Sequence, residues 1–256
     1  MSSTADSRLL VPARFNGPPG SANGGFVAGL LAARVPGDGP VQVTLREPPP
    51  LDVPLTVRTD QGQVVATFGG AVVVSAEPGV FDADPVLPVP FEQAAAAESD
   101  YAGFVAHPFP GCFVCGPDRP AGDGLGLRPG RLSADPADTV ATTWVPDASV
   151  ADDQGRIVVH LVWAALDCPS GWASDLVARP AVLGRITAAV PAVPQVGDRC
   201  VVVGRVLRVE GRKTFTASTA YDADGRVLGQ AEATWIALRQ DPAAPGAADG
   251  AAPRPG

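Results

Sequence analysis

Residues 23–33 read Asn23-Gly24-Gly25-Phe26-Val27-Ala28-Gly29-Leu30-Leu31-Ala32-Ala33. Two adjacent glycines open a run that is otherwise apolar and rich in helix-forming residues. Glycine lets another group approach the backbone closely at a helix edge, where the first turn has unsatisfied N–H groups and a partial positive charge. The stretch therefore predicts an open helix N-terminus that can receive a carbonyl oxygen or an anion. The alternative is a loop-to-helix junction at which glycine only relieves crowding.

Composition limits the classes of function. The chain has 256 residues, of which 46% are hydrophobic and 18% charged, with a net charge of -8. A substantial core is expected, and the absence of a Lys/Arg cluster argues against nucleic acid or an anionic membrane surface as partner. The polar N-terminus, the lack of an apolar run of about 18 residues and only four cysteines predict a soluble cytoplasmic protein with reduced thiols.

The two halves of the sequence share one order of elements, a buried helix followed by long antiparallel strands. In the first half a helix from Asn23 to about Val35 precedes strand-like runs at 41–45, 55–59 and 64–75, the last with a bulge or tight bend at Gly69-Gly70. In the second half a strand at 140–145 and a helix within 158–177 precede runs at 182–190, 200–210, 214–221 and 227–238. Such a long repeat indicates a duplicated domain.

The domain boundaries follow from changes in composition. We expect an N-terminal half at 1–79, a connecting segment at 80–130, a C-terminal half at 131–239 and a disordered tail at 240–256. The connecting segment is rich in proline and glycine, and we expect it to cross the surface.

Three motifs carry a resemblance to a known family. Asn23-Gly24-Gly25 with its apolar helix is similar to the His-Gly-Gly helix start of the phenylacetate-pathway thioesterases. Cys112-Phe-Val-Cys115-Gly116, followed by Gly124-Leu-Gly-Leu127, resembles the segment that precedes many such domains, and 222–235 resembles their closing hairpin. The whole chain resembles a tandem acyl-CoA thioesterase of the hotdog fold. The resemblance implies an α+β double hotdog, each half an antiparallel sheet wrapped around a central helix.

The sequence departs from the family pattern in a complementary way. The family has an Asp or Glu nine positions after the first residue of the His-Gly-Gly motif, but here that position is Ala32. The second helix carries Asp167, while its glycine positions are Val159 and His160. The first half keeps the N–H donors and the second half keeps the carboxylate, so the resemblance implies one composite site between the halves.

The chemistry of such a site is thioester hydrolysis. The N–H of Gly24 or Gly25 would stabilise the negative charge that develops on the carbonyl oxygen, and Asn23 would donate to the same oxygen or fix the loop. Asp167 would act as nucleophile or as general base for water. The structural alternative for Asp167 is an interaction with the backbone break at Pro169.

Other residues are candidates for binding the substrate. Phe26 and Trp163 would line an acyl pocket or fill the core, and Arg205 and Arg212 would meet a CoA phosphate or solvent. His160, before an apolar helix, is more typical of a packed or capping histidine than of a base.

No cofactor and no metal are expected. Cys112 and Cys115 have the spacing of metal ligands and His107 is near, but zinc takes four ligands and no second pair is evident. The sequence therefore favours buried thiols or a tight loop at this position.

Two other functions compete with hydrolysis. Asn at position 23 and the incomplete second motif are compatible with a non-catalytic acyl-binding protein. A hotdog hydratase is disfavoured, because His160 lies about two helical turns before Asp167. The resemblance also implies a homo-oligomer and a small-molecule acyl thioester as partner.

Overall fold

The computed structural model describes residues 7–60, 62–132 and 138–239. These residues form three α-helices: α1 Gly24–Ala32, α2 Phe91–Ala97 and α3 Val159–Trp172. They also form eleven strands, which are β1 Ser7–Leu9, β2 Val41–Leu45, β3 Leu55–Asp60, β4 Gln63–Phe68, β5 Ala71–Pro78, β6 Gly130–Arg131, β7 Thr139–Trp144, β8 Ala181–Ala189, β9 Cys200–Glu210, β10 Lys213–Tyr221 and β11 Val227–Ala237.

All eleven strands belong to one antiparallel sheet with the order β1-β3-β4-β5-β2-β8-β11-β10-β9-β7-β6. The strands of the first half occupy one side of this order, and those of the second half occupy the other. They meet where β2 pairs with β8, with Val43 opposite Ile186. The sequence predicts a separate sheet in each half, which is wrong: edge pairing of β2 with β8 satisfies both strands and joins the halves into one sheet.

The helices α1 and α3 are buried on most sides and pack against each other and against the sheet. Helix α1 contacts strands β2, β4, β5 and β8, and α3 contacts β7 to β11. Two glycines of α1 allow the close approach. A Cβ atom on Gly25 would lie 2.5 Å from the carbonyl oxygen of Trp163, and one on Gly29 would lie 2.7 Å from the Cα of His160. Larger residues at these positions would push the helices apart.

Two details of the first half differ from the sequence prediction. The run 64–75 is not one strand, because Gly69 and Gly70 both have positive φ angles, 57° and 86°. Two such residues in succession form the hairpin turn that connects β4 to β5. Helix α1 also ends at Ala32, before the predicted end near Val35.

The segment 80–130 does more than cross the surface. It includes α2, and Phe113 and Val114 are fully buried in the main core with Cys112 and Cys115. The Tyr101 hydroxyl donates to the Cys115 carbonyl at 2.9 Å. The prediction of a surface segment is therefore wrong for these residues, because its aromatic and thiol side chains pack against α1 and α3.

The predicted tail at 240–256 lies outside the described residues. In the part of the chain that the structure describes, no helix is long and apolar enough to span a membrane.

We expect Gly29→Ala to destabilise the protein by about 1–2 kcal/mol, because overpacking costs about 1–3 kcal/mol and the better helix propensity of alanine offsets up to about 1 kcal/mol. Urea unfolding measures the effect. The matched control is Gly39→Ala, at an exposed position with open space around the added methyl group. Equal stability of the two variants would contradict the close helix contact.

Candidate active site

Asp167 lies on α3 with its side chain turned to the start of α1. It is only 2% exposed. Its Oδ2 accepts a hydrogen bond from the Gly25 N–H at 2.9 Å and another from the Asn23 side-chain amide at 3.0 Å. Its Oδ1 is buried and has no hydrogen-bond partner in the described part of the chain. One carboxylate oxygen is thus fixed, and the other is left to accept a hydrogen bond.

Asn23 holds both the helix start and the carboxylate. As N-cap of α1 it has an extended backbone, and its Oδ1 accepts from the Phe26 N–H at 2.9 Å. Its own N–H donates to the Phe15 carbonyl at 2.8 Å. With Oδ1 bound in the cap, Nδ2 is directed at Asp167, so this one amide both begins the helix and orients the carboxylate.

The environment of Asp167 favours its neutral form more than an exposed position would. Burial raises its pKa to about 7, and the nearby Cys112 thiol group adds to this rise when it is ionised. The hydrogen bonds from Gly25 and Asn23 act in the opposite direction, because they stabilise the carboxylate and lower the pKa.

The backbone near Pro169 does not use the Asp167 side chain. Ser170 Oγ donates to the Asp167 carbonyl at 2.8 Å, and Ser218 Oγ donates to the Leu166 carbonyl at 2.7 Å. Hydroxyl groups therefore satisfy carbonyls beside the proline, and the carboxylate binds α1 instead.

Gly24 contributes the remaining donor at the helix start. The N–H groups of Gly25, Phe26 and Val27 are all bound, to Asp167 Oδ2, Asn23 Oδ1 and the Asn23 carbonyl. Within the described residues the Gly24 N–H has no acceptor. Gly24 also lines a cavity.

A cavity of about 470 Å³ adjoins these groups. Asn23, Gly24 and Asp167 line it together with apolar side chains such as Trp172 and Leu183. Its size is in the ordinary range of small-molecule sites, about 300–1,000 Å³. The cavity thus brings a carboxylate, a helix N-terminus and an apolar surface to one place.

Three thiols lie along the same cavity. Cys112, Cys115 and Cys168 are free, buried and among its lining residues. Hydrogen bonds from the other two thiols hold the pKa of Cys112 well below its usual value. His107 also lines the cavity, and burial lowers its pKa.

The residues predicted to bind substrate lie outside the cavity lining. The Phe26 ring stacks on Phe15 with 4.0 Å between centroids, and Trp163 is buried in the core. Arg205 lies on β9 opposite Ala217, and Arg212 donates from Nε to the Ala237 carbonyl. The role of these four residues in substrate binding stays a prediction.

No protein-family profile and no curated protein sequence matches the chain. Three solved structures are similar over nearly its full length. The first is a hot-dog-fold protein from Alicyclobacillus acidocaldarius, with 17% identity over 93% of this chain and 97% of the other and a TM-score of 0.57. The second is a TesB protein from Mycobacterium avium subspecies paratuberculosis, with 14% identity over 91% of this chain and 93% of the other and a TM-score of 0.58. The third is a candidate thioesterase from Novosphingobium aromaticivorans, with 15% identity over 91% of this chain and 95% of the other and a TM-score of 0.57. The chain has the hotdog fold. At these identities the likeness confirms the predicted resemblance at the level of the fold.

Sequence reasoning did not place three further residues of this hotdog protein at the site. Cys168 directly follows Asp167, and Trp172 lies one helical turn further along α3. His107 belongs to the connecting segment. Only the packing of that segment against α3 brings these side chains together, and no spacing in the sequence indicates that contact.

His160 gives a test of the buried helix pair. Its ring meets the Phe26 ring edge-on at 4.8 Å, and burial lowers its pKa to about 4. In the unfolded chain the histidine pKa is about 6.5. Between about pH 6.5 and about pH 4 the unfolded chain therefore binds more protons than the folded protein, so the free energy of unfolding falls as the pH drops through this range.

We expect His160→Gln to lose less stability over that pH range than the unchanged protein. Thermal melts of both proteins at several pH values measure the difference. The same pH dependence in both would show that His160 is not buried in its neutral form.

Proposed function

We propose that this protein hydrolyses an acyl thioester, with a CoA ester as the substrate class, at one composite site between its two halves. The observation that carries the proposal is the carboxylate of Asp167, held through one oxygen by the start of α1 and unpartnered at the other. A buried carboxylate is costly unless it has partners, and the half-satisfied Asp167 faces a cavity. The thioesterase name of the Novosphingobium neighbour supports the same reaction.

We further infer that the chain is a double hotdog. Each half of the sequence contributes one side of the sheet and one central helix, and the two helices cross at the candidate site. The donors come from α1 and the carboxylate from α3, which supports the complementary use of the two motifs. The arrangement leaves a single composite site per chain.

Asp167 Oδ1 supplies the base or the nucleophile. Its Oδ2 is fixed by Gly25 and Asn23, so Oδ1 has a defined direction. It can take a proton from an attacking water or attack the thioester carbon itself. In the first case the water oxygen forms the new bond to the acyl carbon, and the carrier leaves as its thiol. In the second case the carrier thiol leaves from a mixed anhydride between the acyl group and Asp167, and a water molecule then hydrolyses this anhydride to release the carboxylic acid.

The Gly24 N–H is the donor that would stabilise the oxyanion. Gly25 and Asn23 already donate to Asp167, so their role is to position the carboxylate. Gly24 is the next donor of the same helix turn and lies on the cavity wall. A donor aimed at the developing negative charge is worth about 10²–10³ in rate.

The apolar part of the cavity would receive the acyl group. Much of its wall is apolar, including Pro18, Trp172 and Leu183. Such a surface binds hydrocarbon through the hydrophobic effect.

The homo-oligomeric state and the cytoplasmic location stay predictions.

The non-catalytic alternative has one observation in its favour. The Gly25 N–H, a donor of the predicted oxyanion site, is already bound to Asp167. A protein with this arrangement could bind an acyl-CoA without hydrolysing it. Calorimetric binding without thiol release from any ester would decide for that function.

We expect Asp167→Asn to reduce thiol release from acyl-CoA by about 10²–10⁴-fold, because it removes the general base or nucleophile. The fold should remain, since asparagine has nearly the same size and can accept the same two hydrogen bonds. A thiol-release assay across a panel of acyl-CoAs measures turnover, and thermal melts measure folding.

The control for this change is Asp153→Asn, the same substitution at an exposed position. It should leave turnover unchanged. An Asp167→Asn variant as active as this control would contradict the assignment of Asp167.

A further inference from the structure

Three buried thiols from distant parts of the sequence meet beside the cavity. Cys112 and Cys115 belong to the connecting segment, and Cys168 belongs to α3. Their sulfur atoms all lie within 4.8 Å of one another, and those of Cys112 and Cys168 are 3.8 Å apart. None of the three side chains is more than 6% exposed. The three thiols therefore lie in the protein interior.

The distance between the Cys112 and Cys168 sulfurs suits two ligands of one tetrahedral metal ion better than it suits a disulfide. Two thiolates bound to one zinc ion at about 2.3 Å lie about 3.8 Å apart in tetrahedral geometry. A disulfide requires about 2.05 Å. The observed separation of the Cys112 and Cys168 sulfurs equals the edge of such a tetrahedron.

The backbone of the connecting segment shapes a tight loop for its two cysteines. The Gly116 N–H donates to the Cys112 carbonyl at 2.9 Å and closes the loop. A Cβ atom on Gly116 would lie 2.4 Å from the Pro110 carbonyl oxygen and 2.5 Å from the Cys112 nitrogen. Glycine is thus required here for the turn that brings the sulfurs of Cys112 and Cys115 to the same side as Cys168.

N–H donors surround the sulfurs. Trp172 Nε1 lies 3.4 Å from the Cys115 sulfur, and Asn23 Nδ2 lies 3.8 Å from the Cys168 sulfur. His107 Nε2 is also 3.4 Å from the Cys115 sulfur. Because His107 Nδ1 accepts from the Phe109 N–H, the ring proton belongs on Nε2, and His107 is a donor rather than a ligand. Donors of this kind stabilise negatively charged sulfur.

We propose that Cys112, Cys115 and Cys168 bind one zinc ion as thiolates, with water from the adjoining cavity at the fourth position. Each thiol releases its proton to solvent on binding. Thiolates are soft ligands that select zinc among the common divalent ions. The sequence analysis expected no metal because it found no second pair of ligands in the sequence. In the structure the third thiol, that of Cys168, comes from α3, the helix that carries Asp167.

The ion would join the connecting segment to α3 at the cavity wall. The proposal does not depend on thioester hydrolysis, and its tests use no substrate.

The first test is the metal content of the full-length protein. The chain, purified without chelators and under reducing conditions, should contain one zinc ion by inductively coupled plasma mass spectrometry. X-ray absorption at the zinc edge should show three sulfur ligands at about 2.3 Å and one oxygen or nitrogen. Fewer than three sulfurs, or no uptake of added zinc against a chromophoric chelator, would overturn the proposal.

Two variants locate the site. Cys115→Ser should lose the zinc, whereas Cys200→Ser, which removes a buried thiol on β9, should keep it. Equal zinc in these two variants would overturn the assignment. Trp172→Phe keeps one aromatic ring at this position but removes the N–H donor, so it should weaken zinc binding by about 10–100-fold. If Cys115→Ser does not fold, the X-ray absorption of the unchanged protein still decides.

Discussion

The structure depends on the contact between the first turn of α1 and the carboxylate of Asp167. A carboxylate on an apolar helix can be buried only where N–H groups reach it, and here Gly25 and Asn23 provide them. Gly25 has two roles in one residue. Its N–H binds Oδ2, and its lack of a side chain permits the approach, since a Cβ atom there would lie 2.6 Å from the Cβ of Asp167. The close packing of the helices and the chemistry of the site follow from the same constraint.

Much of this arrangement could be predicted from the sequence. Alternating apolar runs and the Asp222–Gly225 turn gave β9 its observed bounds and placed β10 and β11 to within a residue at each end, because local pattern and turn chemistry decide them. The resemblance to the thioesterase family also predicted that the Asn-Gly-Gly helix start and the lone Asp of the second helix would meet. The sequence does not show which N–H groups bind Asp167 and which remain available to a ligand, because that depends on the three-dimensional distance of each group from the carboxylate.

Long-range packing explains the remaining differences. The edge contact of β2 with β8 merges the two predicted sheets, and nothing in either strand alone indicates its partner. The proline- and glycine-rich connecting segment was expected at the surface, but Phe113 and Val114 are fully buried in the core, where the Phe113 ring meets Phe26 of α1. The same segment also contacts α3 and so brings Cys112 and Cys115 to Cys168, although the sequence spreads the three over 57 positions. The candidate catalytic carboxylate and the three candidate metal ligands thus line one cavity, and Asp167 and Cys168 are neighbours on α3.

The central claim is that a thioester carbonyl binds between the Gly24 N–H and Asp167. The most direct measurement is a crystal structure with an acyl-CoA analogue in which a ketone and methylene group replace the thioester. We predict the ketone oxygen about 2.7–3.1 Å from the Gly24 nitrogen, with the carbonyl carbon facing Asp167 Oδ1. An analogue bound with its carbonyl away from both groups, or no bound analogue at saturating concentration, would contradict the account.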